Sequence, residues 1–295
     1  MALSPEMITA LRMRIATTRG HKIRVRKAPR WLHPDSITRE YARTLVAIVD
    51  TIQELTERMF IPYIARLEAD ALATRPSASV RADAIGGDVD DLINNLKHQV
   101  DGKIGTGRVL ASEIGRRTGA FNDKQWKKII KRMLGVDLFT VNPWLPGMIE
   151  IFTSENAALI TSLKGKAIED VRQMTLRGIQ QGTRHEVISK QIQERFDVSR
   201  SRARLIARDQ VSKLNGQITE FRQTEIGIDS YIWQDSADER VRQTHAAHDG
   251  RRIKWAEPPF DTGHPGQDYQ CRCWAEPYLK DVIGADFSED EVSFN

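Results

Sequence analysis

From residue 36 to residue 225 the apolar side chains recur at steps of three and four, and at Gly227 that rhythm stops. Steps of three and four put side chains on one face of an α-helix. Ile228, Ser230 and Ile232, alternating with Asp229, Tyr231 and Trp233, have instead the period of a strand. The chain is therefore expected to be mainly α-helical in its N-terminal and central region, with a small C-terminal module of short strands and turns, an α+β fold. The first stripe is Tyr41, Leu45, Ile48, Val49, Ile52, Leu55 and Met59. Asp35 or Ser36 caps it, and Pro62 ends or kinks it. Residues 66–136 read as helical pieces separated at Gly86-Gly87, Gly102, Gly105 and Gly107, with an amphipathic piece over Asp123 to Arg132. A boundary falls near residue 145, between Pro143 and Pro146, and a long helix or helix pair follows to about Gln181. Thr183 and Glu186 have capping-box spacing and predict a short helix through Phe196. Asp197 and Ser199 predict a turn and a fresh cap, before a helix with Ala203, Ala207, Val211, Leu214, Ile218 and Phe221 on one face. No internal repeat is visible.

Charge is unevenly placed. The formal net charge is +4. No acidic residue lies between Met7 and Pro34, a stretch holding Arg12, Arg14, Arg19, Lys22, Arg24, Arg26, Lys27 and Arg30. Gly284 to Asn295 is acidic, with Asp286, Glu289, Asp290 and Glu291 and no basic residue. A basic arm and an acidic tail suit a chain that meets large charged partners. The Arg-rich start also fits a transit peptide, but nothing after it resembles a processing site, and it lacks a secretory apolar core. No run of eighteen apolar residues is present, so no membrane span is expected.

The chemistry is concentrated late in the chain. His245, His248, His264 and both cysteines, Cys271 and Cys273, fall within 29 residues. One intervening residue strains a disulfide, and thiols so placed suit a reducing compartment, binding metal or packing as small hydrophobes. Zinc takes four nitrogen or sulfur ligands. His245, Cys271 and Cys273 are candidate ligands of a structural zinc ion, with the fourth drawn from His264, His248 or a carboxylate such as Asp238 or Asp268. The competing expectation is that the cysteines pack and His245 bonds a carboxylate. Asp238 is a candidate turn cap, and Arg240 and Arg242 either pair with acidic neighbours or reach a partner.

Two other functions are weighed. The capped helix pair over Thr183 to Arg222 has the outline of a helix-turn-helix, and Arg200, Arg202, Arg204 and Arg208 cluster on its second half. Phosphate contact is expected to be non-specific if present, with Arg19, Arg24 and Arg26 of the arm and Arg200 and Arg204 as the candidates. A metal-dependent hydrolase or nuclease would assemble His245, His248, Asp249, His264 and Asp268. Against it, no phosphate-binding Gly-rich loop, nucleophile elbow or His-Glu-x-x-His helix is present.

The order Tyr231-x-Trp233, Asp238-x-Arg240-Val241-Arg242-x-x-His245, Gly250, Pro265-Gly266 and Cys271-Arg272-Cys273 resembles the phage Mu F-like family of minor head and head-morphogenesis proteins. The preceding Ala207-Arg208-Asp209-Gln210 and Asn215 fit too, with Asp209-Gln210 where members usually show Thr-Glu. The resemblance is strongest over 203–275. With the charge pattern and the boundary near 145, it gives a basic arm (1–35), a helical region (36–145), a Mu F-like domain (146–282) and an acidic tail (283–295). It implies a few-copy component of the phage head, not an enzyme. Such a component is assembled in the host cytoplasm, resides in the virion near the portal, and contacts the portal protein, other head proteins and packaged DNA. On the same footing, Trp31 and Tyr41 are candidates for docking to the portal or capsid. Few residues follow Cys273, so no appended toxin or nuclease domain is expected.

Overall fold

The computed structural model describes residues 4–17, 22–73, 78–105, 107–137, 142–288 and 291–294. Eight helices and five short strands are described. In chain order they are α1 (Pro5–Thr17), β1 (Ile23–Val25), α2 (Asp35–Ala73), α3 (Ala78–Ile104), α4 (Arg108–Leu134), α5 (Leu145–Gln180), α6 (His185–Glu225), β2 (Ser230–Gln234), α7 (Gln243–Ala246), β3 (Arg252–Lys254), β4 (Trp274–Pro277), α8 (Lys280–Asp286) and β5 (Val292–Phe294). The expected α+β class, mainly helical with a small late sheet, is what the structure shows.

The chain forms two compact units. One comprises Thr38–Ser112 and Thr153–Ala207. Its described elements are all helices, and their apolar stripes follow the three-to-four rhythm. Tyr41, Leu45, Val49, Ile52 and Leu55 of α2 are fully buried, as are Val89, Leu96 and Val100 of α3. Pro62 lies inside α2, which continues to Ala73 rather than ending there. Likewise Gly86, Gly87 and Gly102 lie within α3, whereas Gly105 and Gly107 do interrupt the chain, with φ of 65° and 73°. In the same unit Asp170 accepts from Lys166 Nζ at 2.7 Å and Arg195 Nε at 2.6 Å.

The turn expected at Asp197 to Ser199 does not occur: α6 runs unbroken from His185 to Glu225, 41 residues. Ile192, Phe196, Ser199, Ala203, Ala207, Val211, Leu214 and Ile218 make one continuous buried stripe. Ser199 sits on it and satisfies its hydroxyl by donating to Arg195 O at 3.3 Å, the back-bond open to a mid-helix serine. An unbroken helix leaves no turn between two helices here, and the helix-turn-helix expectation is corrected.

The second unit comprises Met1–Ile37, Glu113–Phe152 and Arg208–Asn295. Its core joins both ends of the chain. Met7, Leu11, Ile23, Val25 and Trp31 are buried with Trp126, Ile130 and Met133 of α4, and with Ile228, Trp274, Leu279, Ile283 and Phe287. Backbone bonds stitch the arm in place: Ser4 N–H donates to Ile226 O at 3.1 Å and Arg26 N–H to Met133 O at 3.0 Å. β1 pairs in parallel with β5, so the basic and acidic ends meet in one ladder, with Ile23 opposite Val292. The remaining strands form an antiparallel sheet in the order β3-β2-β4, with Trp233 of the central strand opposite Ala275. Among the described residues, no helix is long and apolar enough to cross a membrane.

Candidate metal centre

The central strand β2 presents Tyr231 and Trp233, both fully buried, to a small core shared with Trp255, Cys271, Cys273 and Ala275. Gln223 at the end of α6 anchors this core. Its side-chain amide donates to Ala275 O at 2.9 Å, and its carbonyl oxygen accepts from the Trp255 indole N–H at 3.1 Å. The loop leading to the cysteines passes against α6 where neither partner has a side chain. A Cβ on Gly216 would stand 2.5 Å from Pro265 O, and Gly266, at φ 92°, would meet Ser212 O at 2.7 Å. That close approach sets where Cys271 falls, because Gly266 N–H donates to Cys271 Sγ at 3.3 Å.

α7 is a single turn whose buried residue is His245. Its Nδ1 stands 3.3 Å from Cys273 Sγ and 3.6 Å from Cys271 Sγ. The ligand atoms of these three buried residues all lie within 4.8 Å of one another. On the far side of the ring, Nε2 is 2.8 Å from Asp268 Oδ2. A carboxylate only accepts, so Nε2 carries a proton and donates to Asp268, and Nδ1 faces the sulfurs. Arg242 clamps Asp268 from outside, its guanidinium donating to the carboxylate and to Tyr269 O.

The cysteines are free thiols with unequal proton affinities. Hydrogen bonding from the Cys273 thiol, then from His245 and the Gly266 and Cys273 amides, holds Cys271 well below the ordinary thiol range despite burial. Cys273 is pushed up, first by its bond to Cys271 and then by burial. The bonds to Cys271 and Asp268 raise His245. The cluster thus favours one thiolate beside an imidazole, the donor set of a soft divalent ion.

His264 is not part of it. Tyr231 O–H donates to its Nδ1 at 2.9 Å, and its Nε2–H donates to Trp255 O at 3.0 Å. Both ring nitrogens are thereby engaged, and burial holds the ring neutral by lowering its pKa. The expectation of His264 as a fourth ligand is corrected: it is a core histidine. His248 Nε2 is 3.0 Å from Asp261 Oδ1, and Asp249 accepts from the Asp235 N–H at 2.9 Å. The groups a hydrolase would need are thus parcelled among separate contacts.

Asp238 does cap its turn, accepting from Arg240 N–H at 3.0 Å, and its carboxylate is gripped by both terminal nitrogens of Arg272, Nη2 at 2.6 Å. That pair lowers the Asp238 pKa. Arg272 is the partner that the spacing did not reveal, while Arg240 is exposed.

Trp31 and Tyr41 are corrected as docking residues. Trp31 is 2% exposed and Tyr41 0%. Trp31 lines a cavity of about 20 Å³ with His33, Asn215, Cys271 and Cys273, and Tyr41 O–H donates to Asn156 Oδ1 at 2.9 Å. They are structural. Of the candidate phosphate contacts, Arg24, Arg26 and Arg204 are exposed. Arg200 is engaged with Asp50 at 2.7 Å and Asp197 at 3.0 Å, which removes it from that role. Arg19 lies outside the described residues.

Residues 169–276 match the family model described as phage Mu protein F like protein. They include all of β2, α7, both cysteines and the loop between them. A curated Haemophilus influenzae protein, described as an uncharacterized protein, is 35% identical over 173 residues, which is 58% of this chain. The matched stretch is 39% of that protein's length, so the chain spans well under two thirds of this relative. No solved structure matches. Residues 169–276 are thus what the chain shares with the phage Mu protein F like family, to which this stretch is similar.

Proposed function

We propose that the protein is a minor head component of a tailed bacteriophage, working beside the portal in head assembly and in DNA packaging or delivery. The observation that carries this reading is the phage Mu protein F like match, which coincides with the module built on β2, α7 and the two cysteines. The chemistry of that module supports an assembly role over turnover. His245 bonds Asp268, His248 bonds Asp261 and His264 bonds Tyr231 and Trp255 O, and the cavity beside the sulfurs is water-sized, about 20 Å³. Portal protein and other head proteins are its partners on this reading. Exposed Arg24 and Arg26 make non-specific contact with packaged DNA, a contact that weakens with salt. The protein is made in the host cytoplasm and ends in the virion.

Removing residues 1–35 is not an informative test, because Met7, Leu11, Ile23, Val25 and Trp31 belong to the core. The test is co-purification of the full chain with portal protein from cells assembling heads. A Arg24→Glu/Arg26→Glu variant, which alters exposed charge alone, serves beside it. A stable complex with the unaltered chain is expected, and reduced head-associated DNA contact in the variant. Absence of any complex with portal or other head protein would overturn the reading.

A further inference from the structure

We propose that His245 Nδ1 and the sulfurs of Cys271 and Cys273 bind a zinc ion that ties α7 to the segment entering β4. The spacing of the three atoms carries this. Tetrahedral zinc with bonds of about 2.0 Å to nitrogen and 2.3 Å to sulfur places N and S ligands about 3.5 Å apart. The two N–S separations here, 3.3 and 3.6 Å, bracket that value. Three such atoms from residues 26 and 28 positions apart do not meet by local geometry. The fold brings them together.

The surroundings are those of a metal-bound histidine. Ligating imidazoles commonly donate their other N–H to a carboxylate, which fixes the ring and raises its basicity. His245 donates to Asp268, and Asp268 is itself held by Arg242. Gly266 and Cys273 amides donate to Cys271 Sγ at 3.3 and 3.4 Å, as amides do to thiolates. Thiolate with imidazole selects zinc over the hard cations magnesium and calcium. On binding, the protons now shared among the three groups leave to solvent, and the ion takes both thiolates and the neutral imidazole.

The cluster holds three ligand atoms among the described residues, which leaves the remaining position to water. The cavity of about 20 Å³ lined by Cys271 and Cys273 has room for one water and none for a substrate. A zinc here is a cross-link for a segment whose own apolar core is only Tyr231, Trp233, Trp255, Cys271, Cys273 and Ala275.

The test uses the full chain, purified without chelator and analysed for metal, then stripped and reconstituted with Co²⁺ alone as a spectroscopic probe. Expected are about one zinc per chain, thiols shielded from a disulfide reagent until chelator is added, and a cobalt spectrum with thiolate charge-transfer and tetrahedral ligand-field bands. Asp268→Asn, which keeps the fold and all three ligands, is expected to weaken zinc binding about 10- to 100-fold. His264→Gln is expected to leave the cobalt bands unchanged. Cys271→Ser and Cys273→Ser are expected to lose them. Should those two variants fail to fold, the unaltered chain decides: no thiolate-to-cobalt band, or freely reactive thiols in folded protein, overturns the site. Loss of the bands in His264→Gln with retention in His245→Ala overturns the ligand assignment.

Discussion

Replacing Trp31 by alanine separates two roles for the N-terminal segment. As a docking arm, the segment would lose binding and keep its fold. As part of the core, it would lose stability first. An indole buries roughly 200 Å², which at about 25 cal/mol per Å² is worth about 5 kcal/mol. Core Trp→Ala changes cost about 3–5 kcal/mol because the cavity closes only in part. Trp31 Nε1 is buried without a hydrogen-bond partner, so its removal offsets about 1 kcal/mol of that loss. The expected net cost is about 3–4 kcal/mol, a fall in melting temperature on the order of 10 °C. Trp31→Phe, which keeps most of the apolar contact and has no N–H to strand, should cost about 1 kcal/mol. The assay is thermal unfolding of the full chain followed by circular dichroism, with hydrogen exchange at Trp274, Leu279 and Ile283, which share the Trp31 core. An unchanged melting temperature together with lost portal binding would refute the packing argument and restore Trp31 as an anchor.

Two further outcomes follow from particular contacts. Gly216→Ala forces a methyl against Pro265 O, backbone that cannot step aside cheaply. It should cost about 1–3 kcal/mol, and it should expose the Cys271 thiol by displacing the loop, measured by urea unfolding and thiol reactivity. Burial raises the Asp170 pKa, but hydrogen bonds from Lys166 and Arg195 outweigh it and hold the carboxyl below its usual range. Its stabilising effect is therefore present above the unfolded carboxylate pKa of about 3.9 and is lost as pH falls through the lower folded value. Asp170→Asn should destabilise at neutral pH by about 1–3 kcal/mol and flatten the acid limb of the stability curve. An acid limb identical to that of the unaltered chain would refute the linkage.

Much of this architecture was readable because helices declare themselves by period. The stripe from Tyr41 to Leu55, and the strand through Tyr231 and Trp233, needed no tertiary information. The errors arose where a local preference and a longer pattern disagreed. Asp197 and Ser199 favour caps, yet the buried stripe passes through Ser199 without a break, and burial over 41 residues outweighs one capping preference. Pro62 gives way to α2 for the same kind of reason. In the candidate centre, the density of Cys and His pointed to His245, Cys271 and Cys273, and the fold brings those three together. Which imidazole or carboxylate completes the set depends on how 258–270 folds back. That path depends on two glycines meeting backbone to backbone, and no spacing rule encodes it. Hence His264 was expected as a ligand and is instead locked between Tyr231 and Trp255 O, while Asp268 serves the far side of His245. Trp31 and Tyr41 were expected as docking residues on the resemblance alone. Their burial is set by residues distant in sequence, Trp274 for one and Asn156 for the other.

The claim on which the functional account rests is that this family module serves head assembly. Mass spectrometry of density-purified heads from cells producing the phage tests it most directly. The account predicts this chain in the heads at a small, fixed ratio to portal protein. Complete, DNA-filled heads without it, and the chain left free in the lysate, would contradict the account.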